Sequence, residues 1–376
     1  MKKSRSFVAT QTGPASSDPF SVLEGYYPAA AQDTELYYTL KESVPIISAA
    51  ITKLVHLTGG FKMICSKEEY QEELDRFVAT VDVNSTGMGL DRFVQVFFEC
   101  LLTCGTAVGE VVLDENGKVV QLYNTPIKNI RLRRNPEEPV KIQLCRYNGI
   151  DSEPVKYPDF TVVSTLNPDS GAIYGNSLLK GLPFVTSILM KIYNSIGLNW
   201  ARAGAVRYAV TYKPQNDTLE RGLAKDRAMQ IASEWSSAMS SSGTKDFIAV
   251  GDVDIKVIGS DSQILDSEVP VRQMLEQIVA KTGLPPFMLG LSWSSTERMS
   301  AQQADALTSE LWAYRRILTP VAEKICNLFL ALSGFDASAS IEWDEITLQD
   351  ETEQAQARLW NAQAKQLENQ SGGVEN

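Results

Sequence analysis

Histidine is almost missing from this chain of 376 residues: His56 is the only one. It sits in the helical run Lys53-Leu54-Val55-His56-Leu57. With no histidine partner, it offers neither a triad base nor a two-histidine metal site. GxxxxGK[ST], GxSxG, HExxH and GxGxxG are also absent. Their absence removes the phosphate loop, the nucleophile elbow, the zinc-protease helix and the dinucleotide turn. No apolar run approaches the roughly 20 residues that a membrane helix needs. Met1–Arg5 is basic, but Ser, Thr, Gly and Pro follow where a secretory signal would carry an apolar stretch. The five cysteines (Cys65, Cys100, Cys104, Cys145, Cys326) form no CxxC pair. Cys100 and Cys104 share a helical face, a spacing that two metal ligands would use. Their apolar setting without further clustered ligands reads instead as buried thiols in a reducing cytoplasm. No metal and no cofactor is expected.

Net positive charge is lacking too. Thirty-five Lys and Arg against 46 Asp and Glu leave −11, with an isoelectric point of about 4.9. Freestanding duplex binders are usually basic, because phosphate neutralisation supplies most of their non-specific affinity. An acidic chain should not grip DNA, although like charge would let a duplex slide past it.

What is present is ordinary globular composition, 44% hydrophobic and 22% charged, enough for a core divided over several units. Residues 1–33 read as a flexible arm rich in Ser, Pro, Ala and Gly. Ser43 is placed to cap a helix with Pro45 in its first turn, ended by Gly59-Gly60. A short charged helix is expected over 67–79, and Leu90, Phe93, Phe97, Leu101 and Cys104 mark an amphipathic one. Thr106–Leu113 and Lys118–Tyr123 flank Asp114-Glu115-Asn116-Gly117, a hairpin signal because Asn-Gly accepts positive φ cheaply. Strand-like pieces follow near 129–134, 140–147 and 160–165. Arg131 and Arg133 share a strand face beside Arg134, which reads as a solvated face, with a nucleic-acid patch as the alternative.

A long helix is expected from Asn176 to about Ala203, its stripe formed by Leu178, Leu182, Val185, Leu189, Ile192, Ile196 and Trp200. Pro183 either bends it or delays its start. A strand (206–213), a polar helix (219–240) and short strands (246–250, 253–258) come next, then a helix over 267–281 carrying Met274 and Ile278. The longest periodic stretch is 300–332, where internal Pro320 should bend the helix. A strand over 340–346 and a polar helix over 349–368 close the pattern. Asp344, Glu345, Asp350, Glu351 and Glu353 form an acidic run. Carboxylates there could hold Mg²⁺ for a nuclease, but Asp350 and Glu351 are also what a helix N-terminus favours.

Four segments, in order, resemble the portal (head–tail connector) proteins of tailed bacteriophages. They are the Ser43–Gly60 helix with its apolar run Ile46–Ile51; Leu101-Leu102-Thr103-Cys104-Gly105-Thr106-Ala107-Val108-Gly109-Glu110 leading into the Asn116-Gly117 hairpin; Ile173-Tyr174-Gly175-Asn176-Ser177-Leu178-Leu179; and Ile278–Gly290, with its Gly-Leu-Pro-Pro core, before the Pro320 helix. Each alone is weak; together they span residues 43–332.

The resemblance implies an α+β fold: a mixed α/β wing, a two-helix stem, a small α/β clip, a long kinked helix and a short helical crown. Carried onto this chain, it makes 34–175 the first part of the wing, 176–204 a stem helix and 205–260 the clip. It makes 261–285 the returning stem helix, 286–344 the wing with channel loop and kinked helix, and 345–376 a crown shorter than is usual. It implies a ring, usually of twelve copies, that conducts double-stranded DNA during packaging and ejection and has no enzymatic activity. Implied partners are the terminase large subunit, a head–tail adaptor and capsid or scaffold protein, in a virion assembled in the bacterial cytoplasm and without a membrane. Leu182, Val185, Leu189, Ile192, Met274 and Ile278 would lie on the stem helices. Ser292, Trp293, Ser294, Ser295, Thr296, Glu297 and Arg298 would form the loop nearest the DNA. A metal-dependent nuclease and another type of head–tail adaptor are the alternatives.

Overall fold

Val44 interrupts what would otherwise be one helix. In the computed structural model, which describes residues 34–135, 142–204, 207–212, 226, 229–233, 253–258, 267–291 and 297–346, α1 (Thr34–Ser43) ends one residue before α2 (Pro45–Leu57) begins. Val44 is extended (φ −115°, ψ 98°) and is itself the N-cap of α2, without a side-chain capping bond. Ser43 therefore ends a helix that the sequence pattern did not disclose; it does not cap the next one. Pro45 takes the first position of α2, where its missing N–H costs nothing, and α2 stops at Thr58 before Gly59 (φ +78°).

The chain divides into two units, residues 34–186 with 274–346, and residues 187–273. In the first, α3 (Gln71–Thr80) packs on α4 (Leu90–Cys104), and α4 covers a five-stranded sheet of order β3-β2-β5-β4-β9. Its strands are β2 (Asp82–Val83), β3 (Gly87–Met88), β4 (Thr106–Leu113), β5 (Val119–Thr125) and β9 (Thr161–Thr165). All neighbours are antiparallel except β2 with β5. The stripe expected on α4 is its core face: Phe93, Phe97 and Leu101 are at most 1% exposed. Each such ring or isobutyl group removed from water stabilises the unit by about 1.5–3 kcal/mol. A three-stranded sheet follows, β6 (Ile130–Arg134), β7 (Ile142–Tyr147) and β8 (Ser152–Pro154). Arg131 lies over the Tyr147 ring at 3.9 Å.

β1 (Phe61–Cys65) pairs with β12 (Ala339–Trp343), which joins the beginning of this unit to its end. α7 (Glu297–Leu332) packs on β12, β9, α3 and α4. Phe98 meets Tyr314, and Phe77 stacks on Phe329 at 4.0 Å. Pro320 lies inside α7 and leaves the Arg316 carbonyl without its intrahelical donor.

The second unit holds most of α5 (Leu182–Gly204), the antiparallel pair β10 (Arg207–Tyr212) and β11 (Val253–Ile258), and the start of α6 (Glu268–Thr282). The long helix starts at Leu182 and not at Asn176. Pro183 delays it to the first position a proline tolerates. The strand expected over 246–250 and the helix expected over 349–368 lie outside the described residues, as does most of the 219–240 helix.

Candidate functional site

Two of the four sequence motifs meet in space. α4 ends at Cys104, and Gly105 turns left-handed (φ +76°) while its N–H still reaches Leu101 O at 2.8 Å. That turn sends the chain into β4. Across it lies the Ile173–Leu179 segment, held by a closed set of hydrogen bonds. Leu166 N donates to Gly105 O (2.7 Å), Asn176 N to Leu166 O (2.7 Å) and Leu178 N to Leu102 O (2.9 Å). Gly175 N donates to Thr106 Oγ1 (3.0 Å). Ser177 Oγ donates to Thr103 O (2.6 Å) and accepts from Leu179 N (2.9 Å).

Both glycines are there for proximity. A Cβ on Gly105 would come within 2.5 Å of Asn176 C and Ser177 N, and one on Gly175 would run into Gly105 O and the Leu166 backbone. No side chain fits where two backbones touch.

The neighbouring side chains extend the lock. Tyr174 packs with Cys104, Val108, Ile130 and Leu132, and its hydroxyl accepts from Leu132 N at 2.7 Å, which closes an outward donor of edge strand β6. Asn176 Nδ2 holds Asn167 O and Asp169 Oδ1, while Lys180 donates to Asn176 Oδ1 (2.6 Å) and approaches Asp169. A cleft of about 280 Å³ opens here between Tyr37, Asp169, Tyr174 and Lys180. Its one lysine is already engaged, so the cleft has no free cation with which to hold an anion. This junction roots the helix that leaves the unit: Leu179 and Leu182 are buried, and Thr186 Oγ1 caps back onto Leu182 O.

Along α5 one stripe changes character. Leu182 and Leu189 are buried, and Val185 and Ile192 are half-buried. Tyr193 and Trp200, on the same helical face, are 44% and 64% exposed, with Met190 exposed one turn before Tyr193. On α6, Ile278 is buried, Met274 is half-buried and Val269 is exposed. Of the residues expected in the loop, Ser292, Trp293, Ser294, Ser295 and Thr296 lie outside the described residues. Glu297 and Arg298 open α7.

The open edges of the β1–β12 pair are also closed by side chains. Gln71 spans Cys65 N and Met63 O on β1. On β12, Asn327 pairs with both backbone groups of Ala339, and Glu323 accepts from Ile341 N. Trp343 Nε1 donates to Thr319 Oγ1 at 3.0 Å, and Lys324 Nζ donates to Thr161 O at 2.7 Å. About two helical turns of α7, from Thr319 to Asn327, are thereby fixed to the strands beside Pro320.

Sequence reasoning missed Arg315. It is 1% exposed on α7, donates from Nε to Thr58 O at 2.8 Å and lies between Trp312 and Trp343. An arginine inside a hydrophobic stripe was the available signal. The cysteines are free, four of them buried. Hydrogen bonding with Cys100, and then burial, pushes the Cys104 thiol far up, and burial pushes Cys326 up to about 12. Such thiols stay protonated and unreactive. No group of three His, Cys, Asp or Glu able to hold a metal occurs among the described residues. Asp344 and Glu345 are exposed past the end of β12, and the remainder of the acidic run lies outside the described residues.

No family model matches the chain, and no curated protein matches it. Its fold does match solved structures. A chain in the neck of the native GTA particle, computed with C12 symmetry, is 16% identical over 88% of this chain and 89% of that one, with a TM-score of 0.58. A chain of the native gene transfer agent (GTA) virion is 16% identical over 92% and 90%, with a TM-score of 0.57. A phage portal protein of the HK97 family from Corynebacterium diphtheriae is 13% identical over 81% and 93%, but its TM-score of 0.45 is too low to argue from. At such identities the likeness is one of fold. The chain has the α+β fold of the particle-neck chains, the fold class that the order of its motifs implies.

Proposed function

We propose that this chain is the subunit of a portal ring: a structural protein at one vertex of a phage-like particle, through which DNA enters and leaves. The observation that carries the reading is the shared fold with a particle-neck chain over nearly the full length of both proteins. The C12 symmetry of that neck favours a twelve-membered ring here. The tip of α5 supports it independently, since Tyr193 and Trp200 continue a stripe that is buried at the helix root. A second copy of the same chain is the natural cover for such a face.

In this reading, 34–175 and 286–344 form the wing, 176–204 and 261–285 the stem, and 205–260 the clip. The clip docks a separate packaging ATPase, the terminase large subunit, and later a head–tail adaptor; 345–376 is a short crown. Capsid or scaffold protein surrounds the wing. Ser292–Arg298 is the channel loop, with Trp293 packing against neighbouring loops or stacking on the duplex and Arg298 touching phosphates transiently. Contacts there are weak, because a moving duplex cannot leave deep wells quickly.

End-on electron micrographs and native mass spectrometry of the purified chain test the reading. Closed rings are expected; monomer at micromolar concentration under every salt condition would overturn it. Replacing Trp293 and Arg298 by Ala should leave rings intact and impair DNA packaging or retention.

A further inference from the structure

Arg315 combines deep burial with a formal charge. Among the described residues it is the largest that is fully buried. Nε donates to Thr58 O, but Nη1 and Nη2 have no hydrogen-bond partner. A guanidinium has five donors, and leaving buried ones unmet is costly. The two tryptophan rings, 4.8 and 5.0 Å from its carbon, offset part of that cost through their faces alone.

The missing acceptor is close by. Asp344 Oδ2 would be 2.7 Å from a Cβ on Gly60, and Arg315 Nη2 would be 2.9 Å from one on Gly59. The carboxylate and the guanidinium therefore flank the same two-glycine turn. They make no ion pair there, although the Asp344 charge acts on Arg315 against its burial. Asp344 is exposed and is itself tied to the turn, its N–H donating to Gly60 O at 3.0 Å. Two glycines, one of them left-handed, are the material of which a movable turn is made.

We propose that Arg315 is a latch with two keepers. In one arrangement, the one described above, it holds the C-terminal end of α2 through Thr58 O. In the other, the Gly59–Gly60 turn swings aside and both Nη groups pair with the Asp344 carboxylate. The exchange shifts the grip of α7 from α2 to the segment following β12. Its two orphaned donors keep the first arrangement from being too deep a well. The inference rests on these contacts and stands whether or not the chain forms a ring.

Two variants of the full chain test it. Asp344→Asn removes the second keeper from an exposed position. Melting should stay unchanged, while backbone hydrogen exchange across residues 54–61 and 340–346 slows by about threefold or more. Exchange equal to the parent's, or faster, would mean that Asp344 keeps nothing. Arg315→Met fills similar space without donors, and its melting temperature should equal or exceed the parent's. A fall of more than a few degrees would mean that water already satisfies the guanidinium and that Arg315 is a fixed tie. Should the Met variant not fold, that too overturns the latch, and Asp344→Asn still reports on the second keeper.

Discussion

The two units handle exposed bonding capacity in opposite ways. In 34–186 with 274–346, backbone groups that a loop or strand edge would leave open are closed from within the chain. Tyr174 serves β6, Gln71 serves β1, Asn327 and Glu323 serve β12, and Ser177 serves the α4 terminus. In 187–273, α5 carries its apolar stripe outward into solvent, with Trp200 64% exposed. A region that satisfies itself folds as a unit, whereas exposed aromatic rings at helical spacing are the material of an interaction surface.

That contrast breaks most directly at the α5 tip. Tyr193→Glu with Trp200→Glu should leave the monomer folded, because both positions already open onto solvent. Assembly should fail altogether, visible in native mass spectrometry as a single small species. Rings of normal size would show that this face is not an interface. Next in size is a pair of matched glycine changes. Gly175→Ala forces a methyl group into the Gly105 carbonyl and the Leu166 backbone, where neither side can yield. Destabilisation of about 3 kcal/mol or more, or insoluble protein, is expected. Gly197→Ala on α5 meets nothing within 4 Å and should stabilise the helix by about 0.5–1 kcal/mol in denaturant titration. Equal effects at the two positions would remove the distinction between the units.

How much of this was legible depended on whether the cause was local. The α4 stripe, the Asn116-Gly117 hairpin and the breadth of α7 follow from spacing and turn chemistry within a few residues, and they appear where expected. α1 did not show because its buried face is little more than Tyr37 and Leu40. β2, β3 and β8 are two or three residues long, too short for alternation to register. The contact between the Gly105 and Gly175 motifs joins residues some 70 positions apart, as in the 69-residue separation of Gly175 and Thr106. Each motif could be noticed alone, but nothing local says that they touch. Arg315 is the extreme case. Its place in the hydrophobic stripe of α7 is local, but the carbonyl that its Nε meets lies 257 residues away. The order of the motifs did carry the fold, since order survives where each signal is weak.

Within the junction, Ser177→Ala deletes a hydroxyl that both donates to Thr103 O and accepts from Leu179 N in a buried place. Two backbone groups lose their partner while the packing barely changes, so about 2 kcal/mol should be lost. Cysteine would hold the volume without restoring strong bonds. A Ser177→Cys variant as stable as the parent would mean that shape, and not the closed bonding, secures the root of α5.

The smallest expected effect concerns the β4–β5 turn, where the same self-closure is charged and therefore titrates. Asp114 Oδ1 accepts from Asn116 N at 2.9 Å and from Lys118 N at 2.8 Å. The Lys118 backbone bond foremost, then the Asn116 side chain and backbone, holds its carboxyl below the ordinary value of 3.8. A depressed folded-state value means that the ionised form is the one the turn prefers. Its contribution to stability is thus complete above pH 3.8 and disappears as pH falls through the lower folded value. The group is fully exposed, so the contribution is small. Asp114→Ala should melt slightly below the parent at pH 7, and the two curves should converge in acid. Carboxyl carbon shifts followed by NMR should place the Asp114 midpoint under that of an unstructured peptide. If the gap between parent and variant stayed constant down to the lowest accessible pH, the two amide bonds would not depend on the charge. The turn would then be held by Asn116-Gly117 geometry alone, and side-chain closure in this unit would stop short of its hairpin.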